Sequence, residues 1–481
     1  MSPPSHPLRR ASQTKIVATV GPASDGDERL AALVAAGVDV FRLNAAHGDV
    51  AQHQARLEAI RRISARLGQP VGVLLDLAGP KIRLGELAGG HLQCNPGQRL
   101  RFVRHGPQTA DDLITTYEPL VDELQVGDRI MLADGTVSLV VRRKGGDFAE
   151  CEVIQPGLIR SRQGVNLPGV KIGAPALGKE DLAFALWAAR REVDFVGLSF
   201  VRGPEEVRQL KSLLQEQGST AQVIAKIEKP EALERLEEIV VAADGVMVAR
   251  GDLGVEIDIA RTAVVQKEII AQCGRLHKPV IIATQMLDSM QHARLPTRAE
   301  ATDVANAILD GADACMLSGE TAIGQYPIEA VEMMHRIALA TEPEYRRRPR
   351  LAEPDFRTSP IDPITEAAVH AACHLAADLD AKLVVVASAS GKTALSLSKN
   401  RIAVPTVGVS SSAAVLRRMS LYWGVIPLAG APVEDPRKLL AHVVSWGRTQ
   451  GYLSSGDRLL LIAGTGLAHT AHNMIVVHEV D

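Results

Sequence analysis

Two short segments place a lysine and two carboxylates where they could act together on a phosphorylated substrate or a metal ion. Lys226 and Glu228 belong to the segment KIE, and Asp252 ends the segment ARGD. Residues two apart in a strand point to the same face, so Lys226 and Glu228 would lie side by side. Two carboxylates from neighbouring strands can hold one hard divalent cation, and a protonated lysine beside them can neutralise a phosphoryl group in transfer. A structural ion pair at a strand end is the alternative interpretation of these three residues.

Further charged and hydroxyl-bearing residues follow other apolar runs of the sequence. The stretch LLDLAGPKIRLG (74–85) ends an apolar run on Asp76, turns at a Gly-Pro pair and then presents Lys81 and Arg83. The other residues at such run ends are Arg42, Asn44, His47, Arg250, Gly251, Thr284, Gln285, Ser318 and Glu320. Random strand ends would supply mainly Gly, Asn and Ser. The set therefore favours one reactive site over scattered surface charges.

The apolar runs that carry these residues alternate with helical patterns. They are KIVATV (15–20), VDVFRLN (38–44), VGVLLDL (71–77), VDFVGLSF (193–200), QVIAKIE (222–228), GVMVARG (245–251), PVIIATQM (279–286) and ACMLSGE (314–320). Between them, DERLAALVAAG has the pattern of a helix that ends on Gly37. Continuous apolar strands separated by helices are typical of a parallel sheet covered on both faces, and eight of them predict a closed (β/α)8 TIM barrel. Such barrels carry their reactive groups at the C-terminal ends of the strands.

Other segments interrupt or follow the barrel pattern. Residues 85–173 show period-two alternation with Gly and Asp-Gly turns, which predicts a β-rich, barrel-like domain inserted after the third strand as a lid. Residues 346–363 are rich in Pro and Arg and predict a solvated linker rather than a nucleic-acid patch. Residues 364–481 alternate strands with helices and predict an open α/β domain. The catalytic barrel would then comprise residues 1–84 and 174–345.

The composition argues against several functional classes. With 46% hydrophobic residues, 23% charged residues and a net charge of −3, the chain has no overall field to attract nucleic acid or an anionic membrane. The five cysteines are scattered and form no CxxC pair, which predicts reduced thiols. The sequence has neither an apolar leader at its N-terminus nor an uninterrupted apolar run long enough to span a membrane. We therefore expect a cytoplasmic protein that binds neither nucleic acid nor membrane.

A weaker signal lies in the C-terminal segment. SGKT (390–393) resembles the end of a phosphate-binding P-loop, but the leading glycine of that motif would fall at Val386. A strand, a Ser/Gly loop and a helix start remain, and these can bind an anion. An ordinary capped helix is the alternative. The residues of the candidate loop are Ser388, Ser390, Gly391, Lys392 and Thr393.

Long, ordered motifs of the sequence resemble those of the pyruvate kinase family along essentially the whole chain. They are TKIVATVGPAS (14–24), VFRLNAAHG (40–48), LDLAGPKIR (75–83), GVNLPG (164–169), AKIEKPEAL (225–233), MVARGDLGVE (247–256), IIATQMLDSM (281–290) and RLPTRAEATDVANAILDGADACMLSGETAIGQYP (294–327). The resemblance implies a catalytic barrel, an inserted β domain, a C-terminal regulatory domain and a homotetramer. It also implies transfer of a phosphoryl group from phosphoenolpyruvate to ADP, giving ATP and pyruvate, which is the last step of glycolysis.

The resemblance also implies roles for individual residues. Glu228 and Asp252 match ligands of a divalent cation, Mg²⁺ or Mn²⁺, and Lys226 matches the lysine that stabilises the transferring phosphoryl group. The residues implied for phosphoenolpyruvate are Arg42, Lys226, Gly251, Asp252 and Thr284, and those implied for the nucleotide are Asn44, His47 and Arg83. Thr284 and Ser318 match the relay that protonates the enolate through water. The implied catalytic residues are thus Arg42, Lys226, Thr284 and Ser318.

The sequence departs from many family members at a site for a monovalent cation. Those members have Glu at the position of Lys81 and bind potassium through Asn, Ser, Asp and Thr. Here the Ser position is Ala46, the Thr position is Leu77 and a nearby Thr position is Leu84. The serine ligand of potassium is therefore lost, and the glutamate of those members is replaced by a lysine. We expect the Lys81 ammonium group to supply the charge of potassium, with Asp76 as its neighbour, so that potassium is not required.

The C-terminal domain departs from the family as well. SASGKT (388–393) resembles the family's effector phosphate loop. The segment GTGLAHTAHN (464–473) is shorter than the loop that closes on fructose 1,6-bisphosphate in many members, and it lacks that loop's Trp and Arg. We expect a phosphorylated effector near Lys392, with a sugar monophosphate, a nucleotide and the bisphosphate all left open.

Two other functions use similar residues. A metal-dependent aldolase or lyase would stabilise pyruvate enolate on a barrel with Glu and Asp ligands, yet Lys226, Arg83 and the insertion suit a nucleotide and a phosphoryl group. A metabolite sensor on a degenerate kinase scaffold would be expected to have lost Lys226, Glu228 or Asp252, and all three are present. ADP-dependent turnover distinguishes the enzyme from both alternatives.

Overall fold

The first segment of the chain supplies three strands of a parallel barrel. The computed structural model describes residues 12–105, 111–133, 135–170, 172–347, 359, 361–464 and 473–481. The first elements are β1 (Lys15–Thr19), α1 (Asp27–Ala36), β2 (Val40–Asn44), α2 (Val50–Leu67) and β3 (Gly72–Asp76). Helix α1 ends at Gly37 as its sequence predicts, because a glycine accepts the positive φ of 125° found there.

A β-rich segment follows β3. Its elements are β4 (His91–Cys94), β5 (Arg99–Val103), β6 (Asp112–Leu113), α3 (Leu120–Glu123), β7 (Arg129–Leu132), β8 (Val137–Lys144), β9 (Phe148–Gln155), β10 (Gly157–Arg160) and β11 (Val165–Asn166). Six strands form one sheet in the order β11-β7-β8-β9-β5-β6, and β4 pairs with β10. Buried and exposed side chains alternate along β5, as period-two patterning requires.

The chain then returns to the barrel. The elements are α4 (Lys179–Arg190), β12 (Phe195–Leu198), α5 (Pro204–Glu216), β13 (Gln222–Ile227), α6 (Pro230–Glu234), α7 (Leu236–Ala242), β14 (Gly245–Ala249), α8 (Arg250–Glu256), α9 (Thr262–Arg275), β15 (Val280–Ala283), α10 (Arg298–Asp310), β16 (Ala314–Leu317), α11 (Gly319–Ala322) and α12 (Pro327–Arg347). Strands β1, β2, β3 and β12 to β16 close into an eight-stranded barrel in which β16 pairs with β1 in parallel. The predicted barrel and its eight strands are confirmed.

The last segment forms an open α/β sheet. Its elements are α13 (Pro363–Asp378), β17 (Leu383–Ala387), α14 (Lys392–Lys399), β18 (Thr406–Val409), α15 (Ala413–Met419), β19 (Val425–Leu428), α16 (Pro436–Thr449), β20 (Arg458–Ala463) and β21 (Met474–Glu479). The strand order is β19-β18-β17-β20-β21, and only the pairing of β20 with β21 is antiparallel. Most of the predicted linker, and most of the segment 464–473, lie outside the described residues.

Four aspartates organise the N-terminal face of the barrel. They directly precede the second, fourth, sixth and eighth strands of the barrel. Each accepts a hydrogen bond from a backbone N–H of the barrel strand that comes before it in the chain. The acceptors are Asp39, Asp194, Asp244 and Asp313, and their donors are the N–H groups of Ile16 at 2.8 Å, Val73 at 2.9 Å, Val223 at 2.9 Å and Val280 at 2.8 Å. Each aspartate thus fixes the starts of two adjacent strands.

Candidate active site

Lys226 lies at the centre of the polar groups at the C-terminal mouth of the barrel. Its Nζ is 3.0 Å from Glu228 Oε1 and 3.1 Å from Asp76 Oδ1, and it donates a 2.6 Å hydrogen bond to Ser199 Oγ. Ser199 in turn donates to the carbonyl of Leu77 at 2.6 Å. Three neighbouring strands, β3, β12 and β13, therefore hold one ammonium group in a fixed position.

The charges around Lys226 fix its protonation state. Burial acts to lower the pKa of Lys226, but the carboxylates of Asp76 and Glu228 outweigh it and hold that pKa above its ordinary value. Burial likewise acts to raise the pKa of Asp76, and Lys226 and Arg42 reverse this and lower it. The lysine is therefore a permanent cation at neutral pH, suited to charge stabilisation rather than to proton abstraction.

Arg42 provides a second cation on the other side of Asp76. Its Nη2 is 2.6 Å from Asp76 Oδ2, and its Nη1 donates to Thr19 Oγ1 at 3.1 Å. Thr19 also donates to the carbonyl of Leu317 at 2.9 Å, which links β1 to β16. The buried Asp76 thus pairs with two cations, Arg42 and Lys226, at the barrel mouth.

Glu228 and Asp252 form the candidate site for a divalent cation. Burial, the largest cause, and the Asp252 carboxylate raise the pKa of Glu228, while Lys226 acts to lower it. Glu228 Oε2 accepts a 2.8 Å hydrogen bond from the N–H of Phe200, a non-glycine residue held at a φ of 55°. Backbone strain of this kind is common at functional sites. A cation between the two carboxylates would relieve their mutual repulsion, so these residues fit Mg²⁺ or Mn²⁺.

The protein supplies few ligands to such a cation. Among the residues that the structure describes, no group of three or more His, Cys, Asp and Glu side chains could hold a metal ion. Mg²⁺ is commonly bound by one or two carboxylates, with water and substrate oxygens at its other positions. Two carboxylates at the barrel mouth therefore suit a cation whose remaining ligands are water and substrate oxygens.

Thr284 and Gly251 lie together at the ends of β14 and β15. The N–H of Gly251 donates to Thr284 Oγ1 at 2.7 Å, and Thr284 has a φ of 69°. Arg250 supports this turn because its Nη2 donates to the carbonyl of Thr284 at 2.9 Å while its Nη1 lies 2.7 Å from Asp303. A cavity of about 560 Å³ opens beside this turn, and the residues that line it include Arg250, Gly251, Asp252, Gln285 and Lys81.

Ser318 is held by a neighbouring buried acid. Glu320 accepts the N–H of Ser318 at 2.7 Å and the N–H of Leu287 at 3.0 Å, which ties the loop after β16 to the loop after β15. Burial raises the pKa of Glu320. The acid is therefore a support for Ser318, and its two oxygens are occupied by backbone donors.

Of the residues predicted for the nucleotide, Asn44 ends β2, His47 follows it, and Arg83 follows β3. Asn44 Oδ1 accepts from the N–H of Ala46 at 3.2 Å and so shapes the turn that carries the exposed His47. Burial, followed by Arg83, Arg42 and Lys81, lowers the pKa of His47. Arg83 reaches the insertion, where it donates to the carbonyl of Arg162 at 3.3 Å.

The predicted neighbour of Lys81 is wrong. Lys81 Nζ lies 3.3 Å from Asp252 Oδ1, whereas both oxygens of Asp76 face Arg42 and Lys226. The reason lies in the turn after β3, where Gly79 has a φ of 66° and a side chain would come within 2.9 Å of Phe200 and Ser199. The chain turns at Gly79, and Lys81 beyond it pairs with Asp252 of the candidate cation site.

Models of two protein domains match the chain. They are described as "Pyruvate kinase, barrel domain", matched over residues 11–331, and "Pyruvate kinase, alpha/beta domain", matched over residues 366–478. The chain belongs to the pyruvate kinase family. Pyruvate kinases are phosphotransferases, so the chain is an enzyme of that class.

Individual relatives agree with this assignment. Proteins described as pyruvate kinase from Geobacillus stearothermophilus and Bacillus licheniformis are each 41% identical to the chain, over 98% and 96% of its length and 80% of theirs. The crystal structure of a pyruvate kinase from Cryptosporidium parvum matches with a TM-score of 0.89 and 32% identity, over 98% of this chain and 97% of that one. No helix among the described residues is both long and apolar enough to cross a membrane.

A second candidate site of the chain lies in its C-terminal domain. Gly391 has a φ of 85° and donates its N–H to Ser388 Oγ at 3.0 Å, which shapes the loop between β17 and α14. Ser390 and Lys392 are exposed on this loop, whereas Ser388 and Thr393 are buried. The predicted loop residues are therefore together, with two of the five facing solvent.

Sequence reasoning missed Ser199, Thr19 and the backbone of Phe200. Ser199 and Phe200 end the run VDFVGLSF, and Thr19 is the last residue of β1. Their position at the C-terminal ends of strands was the available signal. A lone serine or threonine at a strand end is too common to be selected without the contacts that the fold provides.

Proposed function

We propose that the chain transfers the phosphoryl group of phosphoenolpyruvate to ADP, giving ATP and pyruvate. The observation that carries the proposal is the fixed, permanently charged Lys226, held by Asp76, Glu228 and Ser199 next to the Glu228–Asp252 carboxylate pair. A transferring phosphoryl group needs positioned cations, and the barrel mouth provides Lys226, Arg42 and two ligands for a divalent cation.

The reaction would proceed in two steps, and different residues would act in each. In the first, the bond from phosphorus to the enol oxygen breaks and phosphorus bonds to a β-phosphate oxygen of ADP, with Arg42 and Lys226 binding the phosphoryl oxygens. Glu228 and Asp252 would hold Mg²⁺ or Mn²⁺, which when bound supplies further charge neutralisation. In the second step the enolate carbon takes a proton from water ordered by Thr284 and Ser318.

The substrates would occupy two parts of the mouth. Phosphoenolpyruvate would lie against Gly251, Asp252 and Thr284, which are close together at the ends of β14 and β15. The nucleotide would lie toward Asn44, His47 and Arg83, between barrel and insertion. Closure of the insertion over the mouth would exclude water.

Pyruvate formation tests the proposal directly. We expect ADP-dependent formation of pyruvate from phosphoenolpyruvate with Mg²⁺, and a loss of about 100- to 1,000-fold in kcat for Lys226→Met, since removing a group that stabilises transferring charge costs about 2.7–4 kcal/mol. Lys438→Met, which removes an exposed ion pair with Asp435, is the control. Pyruvate released without ADP would mean that water accepts the phosphoryl group and would indicate a phosphatase, and a chain inert toward both substrates would favour the lyase or the sensor.

We propose further that the reaction does not require potassium. Lys81 brings a fixed positive charge to Asp252, at the edge of the cavity that Gly251 and Gln285 also line. A fixed ammonium group there would serve as a monovalent cation does, even though its neighbour is Asp252 rather than Asp76.

We also propose that a phosphorylated metabolite regulates the enzyme at the loop formed by Ser388, Ser390, Gly391, Lys392 and Thr393. The exposed Lys392 begins α14, and backbone N–H groups at a helix start attract phosphate. Titration with glucose 6-phosphate, AMP and fructose 1,6-bisphosphate, followed by calorimetry on the wild type and on Lys392→Ala, tests this. Binding that is equal in both proteins, or none at all, would contradict it.

We propose that the chain works as a cytoplasmic homotetramer, divided into barrel, insertion, linker and C-terminal domain at the limits predicted above. Large apolar side chains of the barrel are exposed at Ile259 (79%), Ile323 (67%) and Leu295 (66%). Exposed apolar side chains are typical of surfaces that other chains cover. Light scattering after size-exclusion chromatography tests the assembly, and a monomer at assay concentration would contradict it.

A further inference from the structure

Two of the four aspartates on the N-terminal face of the barrel pair with a cation of the C-terminal domain. Asp244 pairs with Lys211 of α5, inside the barrel domain, at 2.7 Å. Asp194 pairs with Arg417 of α15 at 2.7 Å, in addition to Arg61 of α2 at 3.0 Å. Asp313 pairs with Lys399, the last residue of α14. The C-terminal domain is thus attached before the fourth and the eighth strand, on opposite sides of the barrel.

The contact of Lys399 with Asp313 is buried completely. Lys399 Nζ is 2.6 Å from Asp313 Oδ2, and the exposed fractions of the two side chains are 2% and 0%. Arg401 lies 3.0 Å from the other carboxylate oxygen and stacks on Trp423 at 4.7 Å. A buried ammonium group cannot replace its carboxylate partner by water, so the carboxylate fixes its position.

Asp313 connects this contact to two catalytic strands. It directly precedes β16, and the oxygen that accepts from Lys399 also accepts the N–H of Val280, the first residue of β15. Strand β15 leads to Thr284 and β16 leads to Ser318. These are the two hydroxyl residues assigned above to enolate protonation.

We propose that Lys399 is a positioning residue for the barrel site: from the C-terminal domain, it sets the register of β15 and β16 and thereby the places of Thr284 and Ser318. This inference rests on the proposed function. Because α14 begins at the Ser388–Lys392 loop and ends at Lys399, the same contact gives a ligand of that loop a direct route to the catalytic strands.

The test separates the proton step from the phosphoryl step. The wild type, Lys399→Met and Lys399→Arg are compared in pyruvate formation and in exchange of the pyruvate methyl hydrogens with deuterium from D₂O, in the presence of Mg²⁺ and ATP. In the exchange a C–H bond breaks, the proton leaves to water, and a deuteron takes its place. Lys399→Met should lower kcat and the exchange rate by the same factor of about 10 to 100, since a misplacement of about 1 Å can cost about 100-fold.

The other measured quantities should distinguish positioning from general damage. The KM for ADP should stay within about twofold of the wild type, and Lys399→Arg should recover most of both rates because it retains the charge. Lys438→Met, an exposed cation of the same domain, is the matched control and should match the wild type. Asp313 keeps Arg401 as a partner in Lys399→Met, so the variant should fold.

Several outcomes would overturn the inference. Rates of Lys399→Met that equal those of the wild type would do so, as would a loss of kcat with undiminished exchange. If Lys399→Met does not fold, Lys399→Gln is measured in its place, and failure of both to fold would make the residue structural only. A wild type that forms no pyruvate would overturn the proposed function, whereas an active wild type with an unaffected Lys399 variant would overturn this inference alone.

Discussion

At the scale of single residues, the site depends on which cation each carboxylate meets. Asp76 lies between Lys226 and Arg42, Glu228 contacts Lys226, and Asp252 contacts Lys81. The first two carboxylates are 1% exposed, so their charges are stable only because cations lie beside them. Asp252 is more accessible and is therefore the carboxylate that a substrate-bound cation would approach from solvent.

Replacing Lys81 by Glu should make the enzyme depend on potassium. The substitution puts an acid beside Asp252, which repels it unless a monovalent cation lies between them. We expect turnover of Lys81→Glu to fall at least about tenfold in a buffer free of potassium, which corresponds to about 1.4 kcal/mol. Addition of potassium chloride should restore part of it, as measured by pyruvate formation.

The charge-neutral variant provides the control for this prediction. Lys81→Met removes the cation without adding an acid, so its turnover should fall while potassium gives little recovery. Sodium-free choline chloride at equal ionic strength controls for screening. Undiminished potassium-free turnover of Lys81→Glu would show that Lys81 does not substitute for potassium.

At the scale of elements, the loops after β14 and β15 act as one unit. Arg250 begins α8, yet its guanidinium group supports the carbonyl of Thr284 and pairs with Asp303 of α10. The positive φ of Thr284 and of Gln285 is maintained by these contacts, since an isolated chain would relax from it. The two loops therefore present the N–H of Gly251 and the hydroxyl of Thr284 in one fixed arrangement.

Replacing Arg250 by Lys should loosen this arrangement while keeping the charge. An ammonium group cannot make the two separate contacts of a planar guanidinium group. The loss of one hydrogen bond to a charged group, about 1.5–3 kcal/mol, predicts a decrease of about 10- to 100-fold in kcat/KM for phosphoenolpyruvate. Steady-state kinetics at saturating ADP measures it.

The same substitution of Arg by Lys outside the site should leave the kinetics unchanged. Arg275→Lys alters an arginine that pairs with Glu237 on the outside of the barrel. Its kinetics should equal those of the wild type. An Arg250→Lys enzyme with unchanged kcat/KM would mean that the turn at Thr284 keeps its conformation without the guanidinium group.

At the scale of the whole molecule, the barrel and the C-terminal domain share one core. A single cluster of buried residues includes Val17, Leu74 and Ile281 of the barrel interior together with Leu416 and Leu460 of the C-terminal domain. The ion pairs of Asp194 and Asp313 lie at the same junction. Apolar burial gives this junction its stability, and the ion pairs define how the two domains are oriented.

Removing Arg417 should weaken the junction without abolishing folding. Asp194 keeps Arg61 as a partner at 3.0 Å, so its charge stays compensated. We expect Arg417→Met to lower the free energy of unfolding by about 1–3 kcal/mol. Urea denaturation followed by tryptophan fluorescence measures it, because Trp423 and Trp446 belong to the C-terminal domain and Trp187 to the barrel.

An exposed arginine provides the comparison. Arg235→Met removes surface ion pairs with Glu205 and Glu238 and should leave the denaturation midpoint unchanged. If Arg417→Met has the same midpoint as the wild type, the Asp194 contact does not stabilise the junction.

The sequence by itself determined the barrel and most of the residues that lie at the C-terminal ends of its strands. Eight apolar runs with helices between them allow little other than a parallel barrel, and strand spacing put Lys226 beside Glu228. These features are local in the chain, so the periodicity of the residues reveals them. The chain's membership in the pyruvate kinase family was equally readable, because its motifs are long and ordered.

Only the tertiary structure decided which polar side chains contact each other. Lys81 and Asp252 are 171 residues apart, Lys226 and Ser199 are 27 apart, and Lys399 and Asp313 are 86 apart. Contacts of such separation depend on the direction of each turn and on how whole domains pack, which no local pattern specifies. The sequence therefore placed Lys81 next to Asp76, and the turn at Gly79 directed it to Asp252.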